Sequence, residues 1–175
     1  MKNAASLLAA AAFVFLAAGC RPPAEETRFL NFDPESSAGA LTSGWSGYEK
    51  TLTGDTFVWS QGGEAKIKVT NHADGDRLLR MRAWAFVYPG AIPQTVTVFV
   101  NDTKVETLTM AGDPRVYTVA APQLVWHRGT NDIRFVFAYA EAPKDRLPGS
   151  SDPRSLSACF DWLEILSPGK DAKKK

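Results

Sequence analysis

Residues 94–110 read QTVTVFVNDTKVETLTM, and their spacing decides the fold. Val96, Val98 and Val100 alternate with Thr95, Thr97 and Phe99, which is the two-residue period of a half-buried strand. Asn101-Asp102 then supplies a tight turn, because both residues tolerate positive φ, and Lys104 to Met110 return. The segment predicts a β-hairpin.

The same period runs outward from this hairpin. In EAKIKVTN (64–71), Ala65, Ile67 and Val69 fall on one face and Lys66, Lys68 and Thr70 on the other. In NDIRFVFAYA (131–140), Ile133, Phe135, Phe137 and Tyr139 share a face, with Arg134 opposite. Further strand-like runs are Arg28 to Asp33, Phe57 to Ser60, Arg77 to Val87, Val116 to Ala120 and Leu156 to Leu166, with proline or glycine in nearly every gap. The segment PQLVWHRGTN (122–131) has room for one helical turn ended by Gly129, and no long amphipathic helix is patterned elsewhere. About eight to ten short strands between turn signals predict an all-β antiparallel β-sandwich, and the long aromatic-rich connections favour a jelly roll.

The first twenty residues, MKNAASLLAAAAFVFLAAGC, place one lysine ahead of an apolar run from Leu7 to Ala18. About 12 apolar residues fall short of the roughly 20 needed to span a bilayer, so the segment reads as a secretory signal. Leu16-Ala17-Ala18-Gly19-Cys20 resembles a bacterial lipobox, in which small residues admit the peptidase and the cysteine thiol receives a diacylglycerol. Leucine is preferred three places before that cysteine. Here Ala17 holds the place and Leu16 precedes it. The expected organisation is a lipoprotein signal over 1–20, a Pro-rich tether over 21–27, a β-sandwich domain over 28–167 and a basic tail over 168–175. The expected location is the outside of the membrane, held by a lipid on Cys20. By resemblance to other lipoproteins, Arg21 in place of aspartate implies the outer membrane where the source has two. Cys159 is the other cysteine, so a lipidated Cys20 leaves no intrachain disulfide.

Charge narrows the partners. The chain carries 20 basic and 19 acidic residues, and loss of the signal removes Lys2 alone from that set. The balance of zero argues against nucleic acid or another polyanion as the main partner.

The order of the pieces resembles the galactose-binding-like jelly rolls that accompany bacterial surface-glycan enzymes. The matching residues run through GWSGYE (44–49), FVWS (57–60), PQTVTVFVND (93–102), GTNDIRFVF (129–137) and DPRSLS (152–157). Such domains usually turn the hairpin with Asn-Gly, where this chain has Asn101-Asp102. The resemblance implies a fold of the carbohydrate-binding-module type without an active site of its own, standing here behind a lipid anchor. It also brings the possibility of a structural calcium, which takes six to eight oxygen ligands. Glu49 and Asp161 are the pair to test for it, although no calcium-loop spacing supports them, and the expectation is otherwise of no metal and no cofactor.

Binding candidates follow from chemistry. Aromatic faces stack on the C–H faces of sugar rings, and Trp45, Tyr48, Tyr88 and Trp126 sit near glycine, proline or a turn. Glu49, Arg82 and Arg154 are the polar groups expected to orient a ligand beside them. Trp59 and Trp84 lie within strand-like runs and are assigned to the core. His72 and His127 each stand alone in loop-like contexts, no G-x-S-x-G elbow is present, and nothing marks two carboxylates as a glycosidase pair. The expected function is a lipid-anchored binding module of the cell envelope, not an enzyme, that recognises carbohydrate or assists surface-polysaccharide machinery. The alternative is a structural envelope lipoprotein that binds another protein.

Overall fold

In the computed structural model, which describes residues 28–72 and 74–168, these alternating runs become two facing sheets. The signal, the tether and the basic tail from residue 169 lie outside the described residues. In chain order the elements are β1 (Phe29–Asn31), α1 (Pro34–Ser37), β2 (Leu41–Ser43), β3 (Trp45–Lys50), β4 (Thr56–Gln61), β5 (Glu64–Asn71), β6 (Arg77–Ala85), β7 (Thr95–Val100), β8 (Thr103–Thr109) and β9 (Arg115–Ala121). A 3-10 turn at Gln123–Val125, β10 (Gly129–Phe137), α2 (Pro143–Arg146) and β11 (Leu156–Leu166) complete them. Among the described residues no helix is long and apolar enough to cross a membrane.

One sheet runs β3-β4-β11-β6-β9, with β1 against the second half of β11; the other runs β2-β5-β10-β7-β8. Each pairing of these strands is antiparallel. The architecture is the antiparallel jelly-roll sandwich that the alternation predicts. The hairpin forms where expected: Asn101 and Asp102 take φ of 48° and 65°, the pair of positive values of a type I′ turn.

Alternation sorts side chains to two faces. In β6, Leu79, Met81, Ala83 and Ala85 are buried, while Arg80, Arg82 and Trp84 between them are half-buried on the outside. Val58 in β4, Val119 in β9 and Phe160 in β11 face inward with them, against Ala65, Ile67 and Val69 of β5, Val96 and Val98 of β7, and Ile133 and Phe135 of β10. Phe160 contacts the rings of Phe32, Trp45, Phe135 and Phe137 at centroid separations of 5.8, 5.4, 5.0 and 6.3 Å. Both sheets close on that one ring.

Two strands are absent from the sequence reading. The stretch GWSGYE, which is not among the strand-like runs, supplies most of β3, and β2 precedes it. A register shift between Trp45 and Tyr48 breaks the two-residue period that would have revealed the strand. Gly44 carries the chain from β2 in one sheet to β3 in the other with φ of 76°, and a Cβ there would lie 2.0 Å from the Glu64 carbonyl oxygen. Only glycine fits this crossing.

Gly44→Ala is expected to lower stability by more than about 1 kcal/mol, through both strain and overpacking. Gly47→Ala is the control, since nothing lies within 4 Å of its added Cβ and its φ is not positive. Urea unfolding of the two variants checks the difference.

Candidate functional site

Register across the β4, β11 and β6 strands builds a row of side chains on the outside of the first sheet. Cys159 of β11 lies directly between Trp59 of β4 and Trp84 of β6, and directly paired residues point to the same face. Val58 and Ala83 beside them are fully buried in the core, so Trp59 and Trp84 must point outward. Their rings meet edge to face at 6.4 Å above Cys159, whose thiol is completely covered. Burial, with lesser contributions from the Glu49 and Asp161 carboxylates, pushes that thiol well above the usual range. Covered and shifted in this direction, the thiol favours its protonated form.

The row continues in both directions. Phe57 packs at a tilt against Trp84 at 5.7 Å, and Phe86 meets Trp59 at 6.4 Å and Tyr88 at 5.9 Å. Tyr139 closes on Tyr88 at 5.7 Å. Gln94, almost wholly buried, fixes that end: its amide nitrogen donates to the carbonyls of Tyr139 and Ser157, and its oxygen accepts from the N–H groups of Thr95, Ala138 and Tyr139. The result is a continuous aromatic strip over a rigid sheet.

Polar groups flank the strip. In Asp152-Pro153-Arg154 the aspartate accepts the Arg154 backbone N–H, which folds the segment into a tight turn, and also clamps the guanidinium. Held this way, Arg154 reaches Glu49 of β3, which pairs with Phe57 and so belongs to the same face. Hydrogen bonds that Arg154 donates first to Asp152 and then to Glu49 raise its pKa further, and Arg154 in turn holds the Asp152 carboxyl below its ordinary value of 3.8. On the other side of β11 an extra residue sits opposite Arg82: Phe160 pairs with Ala83 and Trp162 with Arg82, so Asp161 is left between them. That bulge aims the Asp161 carboxylate at the Arg82 guanidinium, with which it forms an ion pair. Arg146 lies 5.0 Å from the Tyr88 ring and pairs with Glu141 at 2.8 Å.

The structure therefore divides the residues picked from sequence. Glu49, Arg82, Tyr88 and Arg154 come together on this face. Trp45 does not join them, because its ring packs between Phe32, Phe135 and Phe160 and its indole N–H donates to the Lys66 carbonyl at 2.7 Å. Tyr48 pairs with the inward Val58, packs against the core and shares a hydrogen bond with Ser37. Trp126 is 8% exposed at the far end of the sandwich, with its indole N–H on the Ala121 carbonyl, beside a cleft of about 460 Å³ that also includes Leu124 and Asp74. These three are corrected from stacking platform to core. Trp59 and Trp84 move the opposite way. Their alternation with Val58, Ala83 and Ala85 was the signal for it, since β-branched and small residues at the intervening positions mark the inner face.

A calcium does not fit the pair named for it. Glu49 is committed to Arg154 and Asp161 to Arg82, and among the described residues no group of three or more His, Cys, Asp and Glu side chains converges as a metal site.

No family model and no curated protein matches the chain. Solved structures do. The C-terminal CBM6 of LamC, a marine laminarinase from Zobellia galactanivorans, is 11% identical with a TM-score of 0.49, over 79% of this chain and 99% of that one. The CBM36-1 domain of a multidomain xylanase from the hindgut metagenome of Trinervitermes trinervoides is 16% identical with a TM-score of 0.48, over 83% and 99%. A family GH115 4-O-methyl-α-glucuronidase with specificity for decorated arabinogalactans is 8% identical with a TM-score of 0.54, over 82% of this chain and 18% of that one. The fold is an antiparallel jelly-roll β-sandwich, shared with part of that glucuronidase. At these identities the likeness concerns the fold alone.

Removing Arg154 is expected to cost about 1 kcal/mol at pH 7, the scale of a partly exposed ion pair, because Glu49 and Asp152 then face each other without a cation. The depressed Asp152 pKa makes this contribution full above its ordinary value of 3.8 and lost as pH falls through the lower folded value. Thermal melts of wild type and Arg154→Ala from pH 7 to pH 3 should show a gap that narrows only below about pH 4.

Proposed function

We propose that this chain is an exported, lipid-anchored binding module that holds carbohydrate on the outer face of the β4, β11 and β6 strands and performs no chemistry of its own. The observation that carries the reading is the Trp59–Trp84 pair, two large apolar rings left half-buried outside a complete core. Exposed aromatics cost solvation unless a ligand covers them, and ring faces edged by fixed charged groups suit a molecule with apolar C–H faces and hydroxyl rims. Arg82, Glu49 and Arg154 are held by their partners before any ligand arrives, so little side-chain entropy is lost on binding. The Cys159 thiol beneath the rings is fully covered, which agrees with a surface that binds without reacting. The lipid anchor rests on Leu16 to Cys20, and the outer membrane as destination, where there is one, rests on Arg21.

Binding is expected to be saturable on a glycan array and by isothermal titration with the domain lacking residues 1–20. Trp59→Ala or Trp84→Ala should weaken it about tenfold or more, taking the worth of a base–aromatic stack as the guide for a sugar ring. Tyr48→Phe should leave it unchanged. Equal binding by wild type and both tryptophan variants, with melts showing all three folded, would remove the face from the account. For the anchor, Cys20→Ser should move the protein from the membrane to the soluble fraction, and retention in the membrane would contradict it.

A further inference from the structure

The outer face does not end at Trp59 and Trp84. Trp162, three residues along β11 from Cys159, also turns outward, and Phe29 of β1 stands beside it with ring centroids 6.0 Å apart. Leu30 and Leu163, paired next to them, are buried, which fixes Phe29 as an outward residue, and it is 56% exposed. The second aromatic pair is separated from the first by the Arg82–Asp161 ion pair, so a polar step lies between two apolar platforms. From Ser157 to Glu164 the strand advances about 3.3 Å per residue, which gives the face a length of roughly 20 Å. A site for one sugar needs neither that length nor a second platform.

The charges of the same face are closed on one another. Arg80 is paired with Glu164 at 3.0 Å, Arg82 with Asp161, Arg146 with Glu141 at 2.8 Å, and Arg154 with both Asp152 at 2.6 Å and Glu49 at 2.5 Å. Each of the four guanidiniums flanking the aromatics is thus engaged by a carboxylate, and these partners make five carboxylates against four guanidiniums. A carboxylate or sulfate on a ligand would have to displace a carboxylate already in place or lie unpaired in a slightly negative field. A hydroxyl has no such difficulty, because it accepts from the outer N–H groups of a paired arginine and donates to the remaining lone pairs of its partner.

We infer that the face takes an extended, uncharged polysaccharide chain laid along β11, with Trp59 and Trp84 as one platform and Phe29 and Trp162 as a second, and that it rejects acidic glycans. This rests on the carbohydrate-binding reading of the same face and adds chain length and charge to it.

The test is isothermal titration of the domain lacking residues 1–20 with cello-, xylo- and laminari-oligosaccharide ladders from disaccharide to octasaccharide, and with an oligogalacturonate ladder as the acidic arm. Affinity should rise with length in a neutral ladder, and Trp162→Ala should remove about tenfold of that gain while leaving the shortest binding oligosaccharide unaffected. Phe29→Ala, at an exposed position, is the second variant should Trp162→Ala melt early. The galacturonates should not bind measurably. A neutral ladder bound equally at every length, or variants indistinguishable from wild type on the longest member, overturns the extended chain. Galacturonate bound as tightly as the neutral ladders overturns the charge rule. In both cases the face still binds carbohydrate, whereas silence from every ladder removes the carbohydrate reading and this inference together.

Discussion

Phe160 is the side chain on which the rest of the structure depends. It is fully buried at the centre of β11, and rings from four other places in the chain converge on it: Phe32 after β1, Trp45 in β3, and Phe135 and Phe137 in β10. Two facing sheets leave a layer about 10 Å thick between them, so these five aromatics with the valines and isoleucines around them occupy the space available. Trp45 is the tryptophan of this central layer, and Trp126 is buried at the far end of the sandwich. The aromatics at the alternate positions of β4 and β6 are directed to the opposite face, and the proposed ligand surface is what the core does not accommodate.

That surface is ordered by the same strand. The bulge that leaves Asp161 between Phe160 and Trp162 turns two consecutive side chains of β11 away from the core, an aspartate toward Arg82 and a tryptophan toward Phe29. At the other end of β11, Gln94 joins the start of β7 to the Tyr139 and Ser157 carbonyls and holds the loop that carries Arg146 and Arg154. Rigid strands bearing fixed ion pairs are what a binding surface needs in order to recognise a ligand without rearranging.

Most of the fold is readable from periodicity. The hairpin at residues 94–110, β5 and β10 follow from the two-residue spacing of apolar side chains, β11 reads as a strand-like run although its bulges break that spacing, and the positive φ values at Asn101 and Asp102 follow from what those residues tolerate. The site is only half readable. Glu49, Arg82, Tyr88 and Arg154 can be chosen as polar or amphipathic groups, but the meeting of Glu49 with Arg154 depends on β3, whose alternation is hidden by a register shift. Trp45 was misplaced for that reason, since glycines on either side of it suggest a loop when they in fact surround a crossing between sheets and a bulged strand. Trp59 and Trp84 were misplaced because a tryptophan in a strand does not state which face it takes. Their neighbours do: valine, serine and alanine at the intervening positions are the residues a crowded core admits.

The central claim is the division of the tryptophans, with Trp45 and Trp126 in the interior and Trp59 and Trp84 on the ligand face. Each indole N–H gives its own signal in a proton–nitrogen correlation spectrum, and titration of the labelled domain with a neutral oligosaccharide that binds it reads the division directly. The signals of Trp59 and Trp84 should move with saturation, while those of Trp45 and Trp126, held on the carbonyls of Lys66 and Ala121, should stay in place. Movement of the Trp45 or Trp126 signal with Trp59 and Trp84 unchanged would contradict the account.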